Sequence, residues 1–330
     1  MIGTKKKIFA FVSTAVLLLL LFIVAVNTGS LKISAGQLFR GLFVQYDEAV
    51  ATVYDLRFPR IFIAMLAGAA MAVSGVLLQA VMKNPLADPG IIGISSGASL
   101  MAVLITAFFP MLYFFTPFFA FAGGMLAFIL VYSLSWKGGL SPLRIVLVGV
   151  AVNAMFTGFM SAFNSGTGSN YSGVASIVNA NITMKTWDDL RTLAIYALPG
   201  LVLALLVCRF CNLLALEDKT VRSLGVNVTR SRIIISVIAV LLASISTAVV
   251  GAVSFLGLLV PHIARLLTGS NHKVLIPYSM LLGAFTFLLA DTVGRTIAAP
   301  YEISASVIMS VVGAPCFIFL LRRSGQNYGR

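Results

Sequence analysis

Ten stretches of this chain are long, apolar and nearly free of charge inside. A helix that crosses a bilayer needs roughly 20 such residues. The candidates fall at about 8–27, 59–82, 91–109, 116–136, 144–164, 192–212, 233–252, 253–268, 274–294 and 302–321. The third and eighth are short and glycine-interrupted, which a bilayer tolerates only where protein buries the freed backbone groups. Composition agrees: 59% of the 330 residues are hydrophobic and 10% are charged, against about 25% charged in a soluble domain. Too few polar groups exist to clothe a water-facing surface. A soluble enzyme and a nucleic-acid binder are therefore excluded despite a net charge of +13. The expected fold class is an all-α membrane protein of about ten transmembrane helices, one domain over 1–330. Lys5, Lys6 and Lys7 precede an uncharged run from Ile8 to Val26; it exceeds a secretory h-region and reads as a retained first span.

Ten spans place both termini on one side, and the charges choose it. With the termini cytoplasmic, sixteen of the 23 Lys and Arg lie inside, among them Lys83, Lys137, Arg144, Lys219, Arg222, Arg322, Arg323 and Arg330. Lys32, Arg40, Arg57, Arg60, Lys185, Arg191 and Arg295 lie outside. This satisfies the positive-inside rule.

No engine is visible. The P-loop pattern is absent, since no Gly-Lys pair occurs, so any ATP must be hydrolysed by another chain. The two histidines, His262 and His272, fit no H-E-x-x-H motif. No catalytic residue, cofactor or metal site is expected. Cys208-Arg-Phe-Cys211 is formally C-x-x-C but sits in apolar sequence, where small packing residues are the ordinary explanation. An ion-coupled secondary carrier, the rival class, would place acids at midplane; the acids here fall at helix ends or in loops.

Five stretches stand out. In Leu56-Arg57-Phe58-Pro59-Arg60, Pro59 suits a first helical turn. Arg57 and Arg60 then share a face at the outer mouth, either as interfacial anchors or as an electropositive platform for an acidic partner. Asn84-Pro85-Leu-Ala-Asp88-Pro89-Gly90-Ile-Ile-Gly93 must break a helix, as a tight connection or as irregular backbone lining a pathway. Leu216-Glu217-Asp218-Lys219-Thr220-Val221-Arg222-Ser223-Leu224-Gly225 reads as a helix of about two turns capped at both ends, with acids in its first turn, Arg222 in its last and Gly225 at the stop. Val221, Leu224 and Val228 give it an apolar stripe suited to docking. Gly251 to Arg265 carries Pro261 and a lone His262, which is read as structural. Finally, Asp291 and Arg295 are four apart and can pair on a helix, followed by Ala298-Ala-Pro-Tyr-Glu302.

Together these stretches resemble the FecCD-type permease subunits of type II ABC importers for iron chelates, haem and vitamin B12. The matching pieces are Leu-Arg-Phe-Pro-Arg at 56–60, Ala-Val-Ser-Gly-Val-Leu-Leu-Gln at 72–79, Asn-Pro-Leu-Ala-Asp-Pro-Gly at 84–90, Arg-Ser-Leu-Gly-Val-Asn-Val at 222–228, Phe-Leu-Gly-Leu-Leu-Val-Pro-His-Ile-Ala-Arg at 255–265, Leu-Ala-Asp at 289–291 and Gly-Ala-Pro at 313–315. They keep the family's order from about residue 50 onward. The resemblance implies a multi-pass permease in a bacterial cytoplasmic membrane. Its implied partners are a second permease subunit, identical or related, two cytosolic ATPases, and an extracellular or periplasmic substrate-binding protein. The implied cargo is a metal chelate, first a ferric siderophore, then haem or cobalamin. Arg57, Arg60 and Arg295 match arginines that meet acids on the binding protein. The loop at 217–225 matches the coupling helix, in which Glu217, Asp218, Arg222, Leu224 and Gly225 are the candidate residues. Two departures stand out. Leu216-Glu-Asp-Lys219 replaces the family's Leu-Gly-Asp-Glu, and Ile177-Val-Asn-Ala-Asn-Ile182 replaces a Trp-containing segment near the family's path.

Overall fold

A computed structural model describes residues 3–29, 33–135, 142–167, 174 and 177–324. Lys32, Lys137, Arg330 and positions 168–173, part of a Gly/Ser/Asn-rich stretch expected to be an outer loop, lie outside them. All ten apolar stretches are helices: α1 (Thr4–Asn27), α4 (Phe58–Met82), α5 (Ile94–Phe108), α6 (Thr116–Ser135), α7 (Pro142–Thr167), α8 (Trp187–Leu206), α11 (Val228–Val250), α12 (Leu256–Thr268), α13 (His272–Thr296) and α14 (Ala305–Ser324). Between them lie α2 (Ala35–Phe43), α3 (Glu48–Leu56), α9 (Cys208–Leu214), α10 (Asp218–Ser223) and a 3-10 turn at Pro110–Phe115. Among the described residues, seven helical stretches are long and apolar enough to cross a membrane, and three apolar helices, α5, α12 and α14, are shorter.

Two boundaries differ from expectation. The sixth helix starts earlier, at Trp187, because Thr186 and Asp189 form a reciprocal capping box. It also ends earlier, breaking at Val207 before α9. The stretch 28–57, between the first two spans, holds α2 and α3. Their starts are capped by Ser34, which accepts from the Gln37 N–H at 3.1 Å, and by Asp47, which accepts from Ala49 and Val50.

α4 is the centre of the bundle, packed against α13, α11, α8 and α12. Its run of small residues, Ala64 to Gly75, lets backbones approach closely, the usual route to packing in a membrane. A Cβ on Gly68 would strike the Gly283 carbonyl of α13. One on Gly75 would overlap the Gly257 carbonyl oxygen of α12. Ser74 spends its hydroxyl on the Ala239 carbonyl of α11 at 2.7 Å, so the polar atom is satisfied inside the bundle. α1 lies outside this core and leans on α13, where Thr14 and the Tyr278 hydroxyl are 3.0 Å apart. Pro277 and Pro315 are accommodated inside α13 and α14.

Candidate functional site

The two ends of α4 carry the two groups of residues that the sequence singles out. At its first turn Arg57 is the N-cap, with Pro59 just inside. Arg57 Nη1 donates to the Val26 carbonyl at 2.6 Å. Arg60 points into the bundle. Its Nε donates to both oxygens of Asp291 at 3.1 and 3.2 Å, and its Nη2 to Oδ1 at 2.9 Å. Its Nη1 donates to Glu302 Oε2 at 2.8 Å. Arg295, one turn beyond Asp291 on α13, brings Nε within ion-pair distance of Asp291 Oδ2, 3.2 Å, while among the described residues neither Nε nor Nη2 finds a hydrogen-bond acceptor in good geometry. The expected Asp291–Arg295 pair is present. The exposed platform is not: the side chains of Arg60 and Arg295 are only 8% and 6% exposed. They are drawn inward because a buried guanidinium needs a carboxylate, and Asp291 supplies one to both.

These side chains line a recessed cavity of about 880 Å³ that includes Arg57, Arg60, Arg295, Glu302, Thr183 and Met184. Three arginines stand against the carboxylates of Asp291 and Glu302. Among the described residues that line it or pair with its lining, arginines outnumber carboxylates, in a place partly shielded from water where charge acts strongly.

At the other end of α4, Lys83 terminates the helix in a left-handed conformation, φ 49°. Its Nζ donates to the Leu216 carbonyl at 2.6 Å and to Asp218 Oδ1 at 3.0 Å. Arg232 of α11 donates Nη2 to the same oxygen at 2.9 Å. Partial burial works against the Asp218 charge, but the Lys83 hydrogen bond and the two cations outweigh it, so the carboxyl stays below the usual carboxylate range. α10 is thereby clamped to α4 and α11. Its six residues are fewer than the two turns expected, and Glu217, its N-cap, makes no side-chain cap bond. The stop is as expected. Gly225 has φ +77°, and its N–H bonds the Arg222 carbonyl while the Val226 N–H bonds that of Val221. This double bond pattern is the Schellman motif. The apolar stripe divides: Val221 and Val228 are buried, and Leu224 faces outward. Arg222, Gly225 and Asn227 border an open cleft beside it.

A Cβ on Gly225 would meet nothing within 4 Å. Substitution there is governed by backbone conformation alone, about 1–2 kcal/mol for an L-residue forced into the left-handed region. Gly225→Val should therefore lower ATP-driven uptake in proteoliposomes several-fold, and Gly225→Asn should keep most of it. Equal activity of the two variants would remove the conformational role.

The connection from α4 to α5 is packed inside protein. Asn84 accepts from the Leu86 N–H at 3.0 Å, and Asp88 Oδ1 from Gly90 and Ile91 at 2.8 and 3.2 Å. Pro89 offers its carbonyl to the Ile94 and Ser95 N–H groups, opening α5 after Gly93, φ +87°. A Cβ on Gly93 would press on the backbone of Asn153 in α7. Asn84, Pro85, Asp88, Pro89, Gly90 and Gly93 thus shape a tight turn that satisfies its own backbone, the first of the two alternatives.

Sequence reasoning missed Lys83, Arg232, Thr183 and the pairing of Arg60 with Asp291. The signal for the last was present: an acid near the end of an apolar span asks for a partner, and Asp291 was given only its neighbour on the same helix.

Residues 17–323 match the FecCD transport family. The chain is 41% identical over 327 residues, 99% of each sequence, to proteins of Staphylococcus aureus strains RF122 and Newman described as a probable heme-iron transport system permease, IsdF. A solved structure described as an inward-facing metal-chelate type ABC transporter superposes with a TM-score of 0.80 at 26% identity, covering 96% of this chain and 99% of its own. PsaBC from Streptococcus pneumoniae, at 14% identity and a TM-score of 0.57, shares the fold. A helical bundle with no engine of its own, matched end to end in this way, belongs to the FecCD transport family, as a multi-pass permease of ABC importers for metal chelates.

Proposed function

We propose that this permease carries haem iron inward, as one of two permease subunits joined to two cytosolic ATPases and served by a substrate-binding protein. The carrying observation is the end-to-end 41% identity to the Staphylococcus aureus proteins described as heme-iron permeases. It reverses the order in which siderophore stood ahead of haem. The arginine cavity receives an acidic residue of the binding protein, and α10 seats against an ATPase. This orientation, with the Arg57 end outside and the Lys83 end inside, follows the distribution of positive charge. ATP-driven closure of the ATPases then moves α10 and, through Lys83, α4.

The test of cargo is labelled-iron uptake in a strain lacking only this gene, offered haem, hydroxamate, catecholate and citrate chelates, with labelled cobalamin in parallel. Loss of haem uptake alone, restored by the intact gene, is expected. Loss of a siderophore class with haem uptake intact would overturn the assignment. The test of docking is titration of the binding protein onto the purified transporter. Arg57→Glu and Arg295→Gln should each weaken association at least tenfold, because they remove the excess positive charge. Undiminished association would refute the docking site.

A further inference from the structure

The two carboxylates that hold Arg60 are not equivalent. Asp291 takes three of its hydrogen bonds and is 1% exposed. Glu302 takes one, through Nη1, and its side chain is 36% exposed. An anion entering the cavity can compete only for the second. Glu302 is also bonded elsewhere. The same Oε2 accepts from the Thr183 hydroxyl at 2.6 Å, and Arg60 Nη1 lies 3.4 Å from that hydroxyl. Arg60, Glu302 and Thr183 form a closed triangle between the start of α4, the approach to α14 and the turn before α8.

That turn is held in a disfavoured conformation. Ala180 and Met184 both have positive φ, 48° and 64°, which L-residues adopt only when surroundings impose it. Its far end is fixed, since Thr186 caps α8 and Lys185 pairs with Asp189 at 3.2 Å. Thr183 and Met184 line the arginine cavity on one side. On the other they line a second, smaller cavity bounded by Tyr113, Thr116, Asp189 and Ile177. The turn thus lies between the two cavities, held at Thr186 by the cap of α8 and at Thr183 by Glu302.

We propose that Glu302 is an exchangeable latch: a carboxylate entering the arginine cavity displaces it from Arg60, and its release frees the Thr183 turn between the two cavities. The inference rests on the cavity being the docking site. It makes docking and opening one event, because one oxygen atom serves both bonds. It also makes Glu302 an internal competitor, whose negative charge opposes the incoming acid.

The experiment uses the permease–ATPase complex in nanodiscs and the purified substrate-binding protein of the same transport system. A spin label is placed at Met184→Cys, a position 80% exposed, with Cys316→Ser to remove the exposed native thiol. Without further change the label should report the restricted backbone of the turn alone and become more mobile once the binding protein is added. Glu302→Gln should bind the partner three- to tenfold more tightly and leave the label mobile beforehand. Thr183→Val, which removes the hydroxyl that Glu302 Oε2 accepts from, should also free the label before the binding protein is added. A merely structural Glu302 would give equal or weaker binding on replacement, and that result, or a label no more mobile in either variant, overturns the latch. If Arg57→Glu and Arg295→Gln leave docking intact, the docking site itself is wrong. If they abolish docking while Glu302→Gln does not tighten it, only the latch falls.

Discussion

Asp291→Ala is expected to destabilise the permease by roughly 3–5 kcal/mol, the cost of leaving a buried charge without its partner. The effect is at the upper end because one carboxylate serves two guanidinium groups, Arg60 and Arg295, at 2.9 and 3.2 Å. Their side chains are only 8% and 6% exposed. Thermal unfolding of the detergent-purified protein should show a large fall in the melting temperature. Asp291→Asn keeps an acceptor but not the charge and should fall between. The contrast is Asp188→Ala, which removes an ion pair to Arg191 whose side chains are 74% and 84% exposed. Pairs of that kind contribute little, and no shift is expected. Comparable losses in Asp291→Ala and Asp188→Ala would mean that the buried cluster does not hold the helices together.

The second large effect is expected at Gly75. An alanine methyl there would overlap the Gly257 carbonyl, a backbone atom on the first turn of α12. A flexible side chain could step aside; a helix backbone cannot. The cost should reach about 3 kcal/mol, the top of the usual range for overpacking. α12 must then separate from α4, and both yield of folded protein and uptake should drop. Gly36→Ala, in α2 with nothing within 4 Å of the added atom, should leave both unchanged. Wild-type yield and uptake in Gly75→Ala would show that α4 and α12 do not need this contact.

Much of the fold was legible because a bilayer leaves few choices. Long apolar runs had to be helices, and each of the ten became one. Gly225 was legible for a local reason: a short helix followed by a left-handed residue has a recognisable stop. What escaped was either too short or too distant. α2 and α3 are nine residues each, shorter than the window that reveals a span, although Ser34 and Asp47 announced their starts. The break at Val207 has no proline or glycine to mark it. Arg60 and Asp291 are 231 residues apart, so no periodicity links them. Their pairing follows only from the packing of α4 on α13, and with it the change from an exposed platform to a recessed cavity.

α4 has Arg60 near one end and Lys83 at the other, each engaged by residues from elsewhere in the chain. It is one uninterrupted helix of 25 residues, about 37 Å long at 1.5 Å per residue. Adding or deleting a single residue within it would rotate one end by about 100° relative to the other. Either Arg60 would miss Asp291 or Lys83 would miss Asp218. The small residues between them can be exchanged where packing allows, but their number cannot. α4 is therefore a gauge as well as a core helix: its composition can drift while its length stays set by the two charges it must deliver.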